Sequence, residues 1–304
     1  MPTKQDYLDY IHEAGKDTPG YLERSIQAWR ERFDPHNTLF GYAASGAPAA
    51  AAAVDACLYE VTGEMAYAQR ARRALLLPRE LTDIFPQEIA ARHPEYHHAV
   101  PPMDGLFVPP NYIPAYERVR DSGVFSQEDH QAVEAIVADS LHTLFHFPEW
   151  GAHNRAMLRA LSLALAVRAF PENPEANDWR ALSAQLAEDS LGHWSIEDAM
   201  GYHAVWLLAM VTYADVCARS DFFKLPTTTY YFHYFAHMFT SLDTFPDFGD
   251  CNWGGGAERL LPCFERAAAV YDEPAFKYIA DRMFRRIAAA GPPLTVYYDF
   301  DPEW

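Results

Sequence analysis

The chain has 304 residues, half of them apolar and 14% aromatic, with a formal charge of −18. Such a composition excludes a disordered chain, which lacks the apolar surface needed for a core. The charge excludes broad, nonspecific nucleic-acid binding and docking on an anionic membrane, because both need a basic face. No window approaches the roughly eighteen uninterrupted apolar residues of a membrane span.

The N-terminal stretch Met1-Pro-Thr-Lys-Gln-Asp lacks the apolar segment of a secretion signal. This predicts a cytoplasmic protein, or an extracytoplasmic one if a leader has been removed. Helical periodicity then takes over, predicting helices at 5–15 and 21–33. An Ala-rich helix over 47–61 contains Pro48 near its start, which suits a first helical turn. A short break at Thr62-Gly63 leads into a helix over 64–77 and reads as an αα-hairpin.

Further helices are predicted at 110–121, 126–146, 152–169, 177–191, 198–219, 228–241, 256–271 and 274–290. The helix from 126 opens on Ser126-Gln-Glu-Asp, a good capping sequence. Period-two alternation is nearly absent, so little or no sheet is expected. Helices of similar length, short connections and no strict repeat predict an all-α fold. The expected architecture is a complete or incomplete α/α toroid of five or six antiparallel hairpins, in one domain over 1–304.

Three loops carry the chemistry-bearing residue types: Arg92–Asn111, Phe147–Asn154 and Thr244–Gly256. In the second, His153, Asn154 and Arg155 stand at the mouth of an apolar helix. The Asn154 amide can donate to an anionic oxygen, His153 can donate or accept, and Arg155 offers a fork to a carboxylate. A plain helix cap with a surface arginine is the structural alternative.

Tyr202 and His203 fall in the first turns of another apolar helix, after Trp194. A phenol in a cationic or amide-lined site can act as a general acid/base, and a satisfied core tyrosine is the alternative. In the third loop, Asp250, Asn252 and Trp253 could line a sugar subsite, with the indole stacked on a pyranose. The adjacent glycines allow close backbone approach. Tyr112, Trp150 and Trp194 are further candidates for contacting substrate.

Other chemistries find no pattern here. There is no phosphate-binding or dinucleotide loop, no Gly-x-Ser-x-Gly elbow, no His-Glu-x-x-His and no Cys-x-x-Cys. His233 and His237, one helical turn apart, would need a third ligand from elsewhere to hold zinc. No metal and no cofactor are expected. Cys57, Cys217, Cys251 and Cys263 have no paired spacing and read as reduced thiols.

In order and spacing, His153-Asn154, Tyr202-His203 and Phe248-Gly-Asp-Cys-Asn-Trp-Gly-Gly resemble the helical domain of the heparinase II/III-like and alginate-lyase-like polysaccharide lyases. The resemblance covers roughly residues 35–290. It implies β-elimination on a polysaccharide containing uronic acid, with no cofactor. By that resemblance Tyr202 would be the acid/base, Asn154 with His153 or Arg155 would neutralise the uronate carboxylate, and His203 would lie at the cleft.

Family members usually continue into a β-sandwich, whereas this chain stops at Trp304. The partner that the resemblance implies is an acidic polysaccharide or oligosaccharide, and no nucleic acid or membrane is expected. A C-terminal β-domain elsewhere or a second copy of the chain is left open. Two other readings stay open as well. One is a glycoside hydrolase using Glu197, Asp198, Asp247 and Asp250. The other is a non-catalytic sugar-binding protein using Trp150, Trp194 and Trp253.

Overall fold

The computed structural model describes residues 2–32, 43–84, 103, 105–146, 149–194, 199–246, 248, 249 and 257–290. Among these residues there is no strand. Four helices come first: α1 (Lys4–Gly15), α2 (Thr18–Arg32), α3 (Ala43–Thr62) and α4 (Met65–Leu76). A 3-10 segment, Leu77–Ile84, follows. The remaining helices are α5 (Pro109–Val119), α6 (Gln127–His146), α7 (Asn154–Ala169), α8 (Ala176–Ser190), α9 (Met200–Val216), α10 (Pro226–Met238), α11 (Ala257–Tyr271) and α12 (Pro274–Ala290). A short 3-10 turn, Phe222–Lys224, connects α9 to α10.

Local chemistry starts and stops these helices. At α1, Thr3 Oγ1 accepts from the Asp6 amide at 3.3 Å and Asp6 accepts from the Thr3 amide at 2.6 Å. Ser126 and Asp129 repeat this exchange at α6, at 3.2 and 2.8 Å, as the sequence predicts. Asp129 also takes two hydrogen bonds from Arg72, at 2.9 and 2.8 Å, which ties α6 to α4. Burial opposes its charge, yet the donors from Ser126 and Arg72 hold the carboxyl below its ordinary range. Gly63 ends α3 with φ of 71°, where a side chain would be strained, and its amide closes on Tyr59 O at 2.7 Å.

One boundary differs from expectation. The Ala-rich helix begins at Ala43, so Pro48 lies inside it rather than at its opening. There the ring removes one i→i−4 hydrogen bond. Ala49, Ala51, Ala52, Ala53 and Ala56 are all buried, as small side chains must be where α3 meets α1, α2, α4 and α5. At Gly15 the approach is closer still, since a Cβ there would lie 2.1 Å from Leu58 Cδ1.

The helices pack in two tiers. Alternate helices α3, α5, α7, α9 and α11 contact one another in succession. Of the other helices, α4 packs on α3 and α5, α6 and α8 on α7, and α12 on α11, while α10 meets α12. In α9 an almost continuous run from His203 to Ala214 is buried, because neighbours cover it on several sides. The first helix also meets the last two. The Tyr7 ring lies 4.3 Å from Phe284 and its hydroxyl donates to Glu265 at 2.6 Å, joining α1 to α12 and α11.

Candidate functional site at the N-terminal ends of α7 and α9

Hairpin directions bring the predicted segments to one end of the molecule. Ser190, the last residue of α8, donates to Gly151 O at 3.4 Å, just before α7 begins. Midway along, Ser183 of α8 donates to Ala160 O of α7 at 2.6 Å, so these two helices run antiparallel. Arg168, near the end of α7, bears electrostatically on Cys217, just past the end of α9. Since α9 also packs on α7, the two run parallel. Their N-termini, carrying His153-Asn154 and Tyr202-His203, therefore share one end, where both helix dipoles present positive potential. Phe248 reaches the same end, because its carbonyl accepts from the Met200 amide at 3.3 Å.

The side chains there have different fates. His153 is the N-cap of α7: its Nδ1 accepts from the Ala156 amide at 3.4 Å, and its Nε2 donates to Trp150 O at 3.1 Å. A carbonyl only accepts and an amide only donates, so both ring nitrogens are engaged. Asn154 is 7% exposed in the first turn. Arg155, expected to offer a fork to a ligand, donates its Nε to both oxygens of Glu149, at 3.0 and 2.7 Å. Glu149 also pairs with Arg159, one turn further along α7. An internal carboxylate thus occupies the cations of this helix mouth.

Tyr202 stands in the open, 44% exposed. His203 does not contact solvent, which corrects its expected place among substrate-binding groups. Its ring lies 4.7 Å from Phe235, 5.0 Å from Trp206 and 6.1 Å from Tyr234. It helps to anchor the start of α9 in an aromatic core. Tyr112 needs the same correction, being wholly buried with its hydroxyl on Leu75 O. Burial pushes its phenol well above the ordinary range.

Two aromatic residues missed in the sequence join the site. Trp194, 62% exposed, lies 5.7 Å from Tyr230, itself 40% exposed on α10. Tyr234, one turn on and half-buried, lies 6.0 Å from Tyr230. Rings therefore run from Trp194 through Tyr230 and Tyr234 to His203, the residue after Tyr202. The i, i+4 spacing of Tyr230 and Tyr234 was the available signal. Trp150, 49% exposed, belongs to the loop that caps α7. Exposed rings with polar tips can stack on sugar faces while hydrogen-bonding hydroxyls.

Asp250, Asn252 and Trp253 lie outside the described residues, as do Glu197, Asp198 and Asp247. His233 pairs with Glu273 at 3.5 Å, and its ring lies 6.2 Å from that of His237. Among the described residues no group of three His, Cys, Asp or Glu side chains could hold a metal ion. Cys57, Cys217 and Cys263 are free thiols, and burial pushes the Cys57 thiol up to about 11. No helix among the described residues is long and apolar enough to cross a membrane. No protein-family model matches the chain, and no curated protein is significantly similar to it.

Proposed function

We propose that the two tiers close into an α/α toroid and that the protein is a polysaccharide lyase acting on a polymer containing uronic acid. Contact of α1 with α11 and α12 supports closure. The observation that carries the activity is the exposure of Tyr202 at the end where α7 and α9 begin, with the Trp194–Tyr230–Tyr234 rings reaching its chain neighbour His203. In β-elimination a base takes the C5 proton, and the electron pair of the C5–H bond passes into the C6 carboxylate. As that pair returns to form the C4–C5 double bond, the C4–O bond breaks and the leaving glycosidic oxygen takes a proton. The Tyr202 hydroxyl exchanges a proton at C5 or at that oxygen. The Asn154 amide and the helix N-termini supply partial positive charge for the carboxylate that stabilises the C5 carbanion.

The test is incubation with alginate, glucuronan and heparan-type polymers while the absorbance of the conjugated, unsaturated uronate is followed. Absorbance should rise with one of the three, and Tyr202→Phe should slow it by about 100-fold or more. Silence with all three polymers contradicts the proposal. A second reading, sugar binding without cleavage, is favoured by one observation: His153 and Arg155 are both held by internal partners. Calorimetric binding with unchanged polymer length would select it.

A further inference from the structure

At the other end of α9 a groove of about 550 Å³ opens between α9, the 3-10 turn at Phe222–Lys224 and α11. It lies roughly 20 Å along the helix from Tyr202, given the 1.5 Å rise per residue. Its volume falls in the range of small-molecule sites. One wall is apolar: Ala214, Phe223, Val270 and Tyr271. The wall is held in place by two contacts. Arg266 lies over the Phe223 ring at 5.2 Å, and the Tyr271 hydroxyl donates to Phe223 O at 2.8 Å.

The charged residues at the groove do not cancel. Asp215 and Arg266 neutralise each other through a bidentate pair at 2.7 and 3.2 Å. Lys224 is exposed at the rim and leaves one net positive charge, against a chain total of −18. A neutral apolar ligand would gain nothing from that ammonium, and a dianion would meet the acidic body of the protein without compensation. We infer that this groove binds an amphipathic monoanion, an apolar or aromatic body with one carboxylate or sulfonate, the body on Phe223, Val270 and Tyr271 and the head on Lys224. The inference does not rest on the lyase proposal.

The probe is anilinonaphthalene sulfonate, with decanoate and decanol as competitors of equal chain length. Its fluorescence should rise on binding to the whole protein, and decanoate should displace it at about one tenth of the decanol concentration or less. Lys224→Glu, at an exposed position, should weaken probe and decanoate about tenfold while leaving decanol unchanged. Val270→Glu, also exposed, should weaken all three. Far-ultraviolet circular dichroism would confirm that both variants fold. Absence of probe binding, equal competition by decanol, or binding that neither substitution alters would each overturn the inference.

Discussion

The Tyr7 hydroxyl donates to a carboxylate oxygen of Glu265 at 2.6 Å across 258 residues of chain. Burial first, then Glu265, pushes the Tyr7 phenol far above its ordinary range, so it stays a donor at neutral pH. Lys277 donates to the other oxygen of Glu265 and holds the carboxylate in place. One tyrosine thus links the first helix to the last hairpin.

Tyr7→Phe should cost about 1 kcal/mol, the net worth of one such bond. A raised tyrosine pKa contributes stability below the unfolded-state value and loses it as pH rises. The gap between wild type and variant should therefore shrink above about pH 10. Urea unfolding at neutral and alkaline pH checks both parts. Hydrogen exchange should also show α1 opening first in the variant. A variant as stable as wild type would remove the support for closure.

Asp55 gives a pH effect of its own. It accepts from Thr18 at 2.8 and 3.0 Å and pairs with Arg70, but burial outweighs these partners and raises its pKa from 3.8 to about 6. Between those values the folded protein binds more protons than the unfolded chain. The Asp55 contribution therefore falls as pH rises through that window. Relative to Asp55→Asn, the wild type should lose stability from about pH 4 to about pH 7, read from thermal midpoints. A constant difference would show that Asp55 stays charged throughout.

His153 separates a capping role from a chemical one. His153→Ala should destabilise by about 1 kcal/mol, whereas His153→Asn, a good cap, should restore most of that loss. With both ring nitrogens already engaged, His153→Asn should keep lyase turnover within about threefold of wild type. A catalytic proton transfer would be worth about 100-fold. Denaturation midpoints and initial rates on the same samples test the two together.

Phe235 lies against His203 and Phe245 and is wholly buried. Phe235→Ala should cost roughly 3–5 kcal/mol through lost burial and the cavity left behind. Because this core holds the first turn of α9, turnover should fall even where the variant remains folded. Chemical denaturation and activity on the folded fraction distinguish the two effects.

What could be read from the sequence was local. The Ser126–Asp129 capping box, the Thr62-Gly63 turn and the helices of α7 and α12 depend on residues within a few positions of one another. The start of α3 was misplaced because Pro48 is a good first-turn residue and its burial could not be seen. Pairings across the fold were not readable. Trp194 meets Tyr230 only because α10 passes the start of α9. Glu149 takes the Arg155 Nε from across the loop that precedes α7. Tyr112 falls in a helix that the sequence predicts, but its burial could not be seen, because it comes from the neighbours packed on that helix.

The most direct test of the proposed activity is the mass of the cleavage products. A uronate polymer treated with the protein should yield fragments one water lighter than hydrolysis products, and Tyr202→Phe should suppress them. Fragments that all have full hydrolytic mass, with none one water lighter, or equal yields from wild type and Tyr202→Phe, would contradict a lyase with Tyr202 at its centre.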